Sequence, residues 1–180
     1  MSENSLPEWL DRLDRTIVRW LARYSLLFLR YGMGIVFLWF GALKFFPGLS
    51  PASDLAVRTI DVLSFGLIPG NVSLILLAAL ETVIGLGFLA GRYTRLTLVL
   101  LVFQMAGTLT PLVLFPGEAF MRFPYAPTLE GQYIIKNLVL IGAGLVIGST
   151  VRGGQLVAEP EVLSQPRPKL STQPIKIHQS

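Results

Sequence analysis

Four apolar stretches, each close to 20 residues, constrain this chain more than any other feature in it. The hydrocarbon core of a bilayer takes about 20 helical residues to cross, and a backbone inside it must satisfy its own hydrogen bonds. The stretches run from about Leu26 to Phe46, Val72 to Gly91, Leu96 to Phe115 and Tyr133 to Thr150. Breakers bound them at Pro47-Gly48, Pro69-Gly70, Pro116-Gly117 and Gly153-Gly154. The fold class that follows is an all-α membrane protein, a bundle of four transmembrane helices. Composition points the same way, since only 14% of the 180 residues are charged, against roughly 25% in soluble domains.

The charge pattern excludes several functions. The net charge of +4 suggests nucleic acid at first sight, but the basic residues flank apolar runs instead of forming one stripe. The lipid bilayer is therefore the expected partner, and nucleic acid is not. Cysteine is absent, so disulfides, thiolate catalysis and iron–sulfur ligation within this chain are excluded. The single histidine, His178, stands in a polar tail, which excludes a bis-histidine haem and a histidine-based metal site. Redox chemistry, if any, requires a diffusible cofactor or a partner's centre.

Ahead of the first span, the segment LPEWLDRLDRTIVRWLARY repeats Leu6, Trp9, Leu10, Leu13, Ile17, Trp20, Leu21 and Tyr24 at helical spacing. Asp11, Arg12, Asp14, Arg15, Arg19 and Arg23 take the opposite face, and Ser5 with Glu8 fits a capping box. The pattern predicts an amphipathic helix lying in the membrane interface over 1–25. A helix packing on a soluble partner is the alternative. The chain then divides into this helix, the membrane domain over 26–150 and a tail over 151–180, whose Pro, Gln and Ser content predicts disorder.

Arginines set the expected orientation. Arg12, Arg15, Arg19, Arg23, Arg92, Arg95 and Arg152 fall on one side of the four spans, and Arg58 and Arg122 on the other. This asymmetry predicts both termini in the cytoplasm. The loop from Pro47 to Asn71 is long enough for a helix beginning near Ser50-Pro51, with Leu55, Ile60, Leu63 and Leu67 covering the outer mouth. The loop holding FPGEAFMRFPYAP reads as an interfacial cap.

Ionisable groups inside a bilayer are costly unless paired or turned to a cavity, so they are the candidate site residues. Glu81, alone within SLILLAALETVIGLGFLAG, comes first. Counting from Val72 places it roughly 13 Å below the outer edge, and the same count puts Lys136 and Asn137 about 5–7 Å inside span four. A Glu81–Lys136 pair is the expectation. Lys44 near the outer end of span one reads as a snorkelling anchor or a third member of the same mouth, and Gln104 as the polar mark of span three. The set Glu81, Lys136, Lys44, Asn137 and Gln104 is thus the candidate binding site, with no catalytic or metal-ligating residue assigned. A buried Glu–Lys pair serves either a ligand or helix register, and both readings stand. Arg30 reads as an interfacial anchor. Gly34 and Gly41, Gly87 and Gly91, and Gly144 and Gly148 mark faces where helices approach closely.

These residues resemble a known family. RYGMGIVFLWFGALKFFPG is similar to the opening of DoxX-like proteins, closest to their YkgB/RclC-type branch, with Arg30, Gly34, Trp39, Gly41, Lys44 and Phe45 in its pattern. LETVIGLGFLAGRYTR resembles the family's second helix through Glu81, Gly91 and Arg92. RFPYAPTLEGQYIIKNLVLIGAGLVI resembles its fourth through Phe123, Pro124, Lys136 and Gly142. The first outer loop is shorter than that branch tends to have. The resemblance implies a four-helix protein of the bacterial inner membrane, in a family with links to thiosulfate:quinone oxidoreduction and to oxidative stress. Two functions follow from it. One is a subunit or scaffold of a membrane complex linked to redox or stress response, with a partner protein or further copies of the chain. The other is a quinone-binding subunit, with Lys136, Lys44 and Asn137 as donors and Glu81 as proton carrier. A quinone is the only cofactor the resemblance suggests, and whether the chain is an enzyme is left open.

Overall fold

The computed structural model describes residues 7–46, 48–50, 53–154 and 156. Four helices are long and apolar enough to cross a membrane, spanning Trp9–Leu43, Gly70–Ala90, Thr94–Leu114 and Leu129–Thr150. In chain order the helices are α1 (Glu8–Leu43), α2 (Ser53–Leu63), α3 (Gly70–Ala90), α4 (Thr94–Leu109), α5 (Pro111–Leu114), α6 (Pro116–Ala119) and α7 (Leu129–Thr150). A short antiparallel ribbon, β1 (Phe120–Arg122) with β2 (Ala126–Pro127), lies between α6 and α7.

The amphipathic segment expected as a separate helix is continuous with the first span. From Glu8 to Tyr31 the chain holds neither Pro nor Gly, so nothing breaks the hydrogen-bond ladder at residue 25. The resulting 36-residue helix is about 54 Å long, well beyond the hydrocarbon thickness of about 30 Å. Residues 12–25 are all exposed. Pro7 occupies the cap of α1; the capping box expected of Ser5 and Glu8 lies outside the described residues, as does nearly all of the tail.

The later spans start and stop for local reasons. Pro69 caps α3, and Gly91 ends it in the left-handed conformation at φ 65°. Pro111 cannot donate to the α4 ladder, which stops at Leu109. The fourth span begins earlier than expected, at Leu129, because the Thr128 side chain accepts from the Gly131 backbone N–H at 3.1 Å.

The four spans form a ring in which α3 packs against α1 and α4, and α7 against α4 and α1. Helices α3 and α7 face each other across the diagonal and scarcely meet. One apolar cluster fills the centre: Met33, Phe37, Ile84, Phe88, Leu101, Met105, Ala143 and Ile147. Outside it, Ile35, Trp39, Val83, Leu86, Val99, Phe103, Val139 and Leu145 are exposed on the four spans, a surface suited to lipid. The α1–α3 contact is the tightest. A Cβ on Gly85 would stand 2.5 Å from the Leu38 backbone N, and one on Gly41 would stand 2.9 Å from the Thr82 N. Two backbones meet there with no room for a side chain.

Above the end of α1, α2 packs against α3. Of the apolar face expected for this loop, Leu55 is buried and Ile60 half-buried, whereas Leu63 and Leu67 are exposed. Arg58 on α2 makes a two-pronged ion pair with Glu118 on α6, with Nη1 donating to Oε1 at 2.6 Å. The same guanidinium lies 5.5 Å from the Phe115 ring centroid. The Glu118 hydrogen bonds hold its pKa above the ordinary arginine value.

Candidate functional site

Glu81 sits near the middle of α3, about 16 Å from the Gly70 end, and is 8% exposed. The close backbone approach at Gly41 brings the end of α1 against it. Lys44 follows the last helical residue of α1. Because side chains on a helix lean toward its N-terminus, the Lys44 stem turns back into the bundle. Its Nζ donates to Glu81 Oε2 at 2.7 Å and to the Phe40 carbonyl at 3.3 Å. An ionised carboxylate only accepts, so Gln104 presents its amide nitrogen and donates to Glu81 Oε1 at 2.9 Å. Three helices are thereby joined at one carboxylate.

The expected Glu81–Lys136 pair is corrected by this arrangement. Lys136 is exposed on α7, with Nζ 5.6 Å from the Tyr133 ring centroid. The two residues enter from the same edge with a gap in depth that a lysine stem could span, but their helices occupy opposite corners of the ring. Asn137, half-buried on the same helix, also stays apart from Glu81 and makes no side-chain hydrogen bond among the described residues. Lys44, by contrast, turns inward instead of snorkelling, and its side chain is only 12% exposed. The structure therefore unites Lys44, Glu81 and Gln104 and leaves Lys136 and Asn137 outside.

Thr82 adds a residue that apolar periodicity did not mark. Its Oγ1, on the residue after Glu81 in α3, is buried without a hydrogen-bond partner among the described residues. Gly85, one turn further along α3, was also missed, although its small side chain within an apolar helix is a signal of close approach.

Two clefts open at the ends of the bundle, and neither has Lys44, Glu81 or Gln104 in its lining. One, of about 630 Å³, lies among Ser53, Asp54, Arg58, Glu118, Thr128 and Glu130 near the loops. The other, of about 370 Å³, lies at the opposite end between α1, α4 and α7. Among the described residues no group of three or more His, Cys, Asp or Glu is placed to hold a metal ion.

A family model described as DoxX matches residues 25–115. The match takes in Lys44, Glu81 and Gln104 and stops before α7 with Lys136 and Asn137. No curated protein and no solved structure matches the chain.

Proposed function

Since the chain belongs to the DoxX family and its central charges are bound to one another, we propose that it is a subunit or scaffold of a membrane complex linked to redox or oxidative-stress response. The observation that carries this reading is Glu81, whose two oxygens are filled from α1 and α4. A carboxylate satisfied from two neighbouring helices holds their register. The redox or stress link itself rests on the resemblance of RYGMGIVFLWFGALKFFPG to the YkgB/RclC-type branch. Purification in mild detergent with mass spectrometry of what copurifies tests it. A stoichiometric partner protein without a small molecule is the expected result, and isolation of the chain alone, with neither, counts against it.

The second reading, a quinone-binding subunit, is favoured by one observation, the Thr82 hydroxyl, which is buried in α3 without a partner among the described residues. A quinone carbonyl would give that hydroxyl an acceptor. A stoichiometric quinone in the same preparation, lost on Thr82→Val, would establish this reading in place of the first.

The proposed location is the bacterial inner membrane with both termini in the cytoplasm, on the strength of the arginine asymmetry. Impermeant thiol labelling of sealed cells should modify Ser64→Cys and spare Thr94→Cys. Labelling of Thr94→Cys from outside reverses the orientation.

A further inference from the structure

Independently of the function above, the smaller cleft presents an arrangement that the described residues leave incomplete. Arg23, Leu26 and Arg30 of α1, Thr94 of α4, and Ile147 and Thr150 of α7 line its 370 Å³. Arg30 makes no hydrogen bond and no ion pair among the described residues; its Nε is buried without a partner. Its guanidinium lies against Gly91, where a Cβ would come within 2.8 Å of Cζ, and 5.2 Å from the Tyr31 ring centroid. The left-handed cap of α3 thus leaves space for the arginine head, but no hydrogen bond joins the two. Among the described residues, Arg23 has an aromatic partner, with its guanidinium 5.7 Å from the Tyr24 centroid.

No carboxylate lines the cleft among the described residues. Arg92 and Arg95 flank the start of α4 and Arg152 the end of α7, so the described residues add further positive charge at this end. A buried guanidinium donor without an acceptor is costly. The missing component is an anion with several acceptor oxygens, and arginine's planar fork suits phosphate. The Thr94 hydroxyl, which donates to Gly91 O at 3.3 Å, and the Thr150 hydroxyl, which donates to Ile147 O at 2.8 Å, are placed to turn toward such a group.

Both a free phosphate and a lipid headgroup would satisfy the arginines. Two features select the lipid. Leu26 and Ile147 form apolar walls beside the cationic mouth, and the cleft lies where the membrane-spanning helices end. A phosphate carried on acyl chains uses both parts, and a free phosphate only one. We propose that this cleft binds the phosphate of an anionic phospholipid, with Arg30 and Arg23 as its ligands.

The test uses the full chain, stripped of lipid and held in a neutral detergent. Phosphatidylglycerol, phosphatidylcholine and inorganic phosphate are titrated separately, with binding followed by native mass spectrometry and thermal protection. Phosphatidylglycerol should bind about tenfold or more tightly than phosphatidylcholine, and Arg23→Gln with Arg30→Gln should abolish that preference. The pair Arg92→Gln with Arg95→Gln, at the same end but outside the cleft, should retain most of it. Equal binding of the two lipids overturns the proposal, and so does equal loss in both double variants, which would indicate diffuse surface charge. Protection by inorganic phosphate matching that by phosphatidylglycerol would assign the site to the free anion instead. Should the Arg30 variant fail to fold, Arg23→Gln alone replaces it: a loss of the preference larger than that of Arg92→Gln with Arg95→Gln supports the cleft, and an equal or smaller loss overturns it.

Discussion

Lys44 and Arg30 are cations on the same helix, on the order of 20 Å apart along it, and their surroundings differ in one respect. Lys44 ends α1 beside a carboxylate that α3 delivers, and Gln104 fills that carboxylate's other oxygen. Arg30 meets α3 at its glycine cap, where the helix offers no acid at all. A cation whose counter-charge is built into the chain serves the fold first. A cation of similar depth without one depends on something from outside. The same α1–α3 contact therefore ends in a closed polar junction at one level and, at the other, in an arginine that lines the cleft between α1, α4 and α7.

The strongest way to break this comparison is to remove Lys44. Lys44→Met leaves Glu81 buried with Gln104 alone, and stranding one member of a buried pair costs about 3–5 kcal/mol. Thermal melting in detergent should show the loss, and Lys44→Met with Glu81→Gln should recover most of it. If the single variant melts like wild type, the pair contributes nothing to register. If the double variant folds normally while a cellular phenotype stays lost, the junction has a role beyond structure, which favours the quinone reading.

A smaller effect should follow from the spacing that makes the junction possible. Gly85→Ala places a methyl against the Leu38 backbone, and neither helix can yield without shifting the whole α1–α3 contact. Overpacking of this kind costs about 1–3 kcal/mol. The same separation should weaken the Lys44–Glu81 bond, so Gly85→Ala and Lys44→Met should be less than additive. Full additivity in a double-mutant cycle would show that the glycine contact and the ion pair are independent.

The spans were legible because a bilayer demands long apolar runs, and Glu81, Gln104 and Lys44 stood out as costly against them. Pairing was not legible for the same reason that depth was. Rise per residue gives position along a helix, and it placed Lys136 within a lysine stem's reach of the level of Glu81; helix adjacency depends on how four cylinders close into a ring, which no single span encodes. Gly41 was marked as a point of close approach, but its counterpart Gly85 was not. Gly41 stands one turn before Lys44, and Gly85 one turn after Glu81, so the matching small residues on α1 and α3 already implied that these two helices touch. The Arg58–Glu118 pair was illegible because its partners come from two loops whose fold depends on the bundle beneath them. Helix α1 was divided at residue 25 because its side-chain pattern changes there, although nothing in its backbone chemistry does.

The smallest expected effect is the most informative about the open end. In lipid-stripped protein, Arg30→Met keeps the apolar stem and removes a buried donor that has no acceptor among the described residues. No partner is left stranded, unlike at Lys44, so stability should stay within about 1 kcal/mol of wild type or rise slightly. Adding phosphatidylglycerol should then raise the melting temperature of wild type and leave that of Arg30→Met unchanged, because a ligand stabilises only the protein that binds it. The sign of the variant's effect thus reverses with lipid: neutral or favourable without it, unfavourable with it. A purely structural arginine would lose the same stability in both conditions. A loss in stripped protein as large as that of Lys44→Met would mean that Arg30 has an internal counter-charge after all, and that the two ends of the α1–α3 contact are alike.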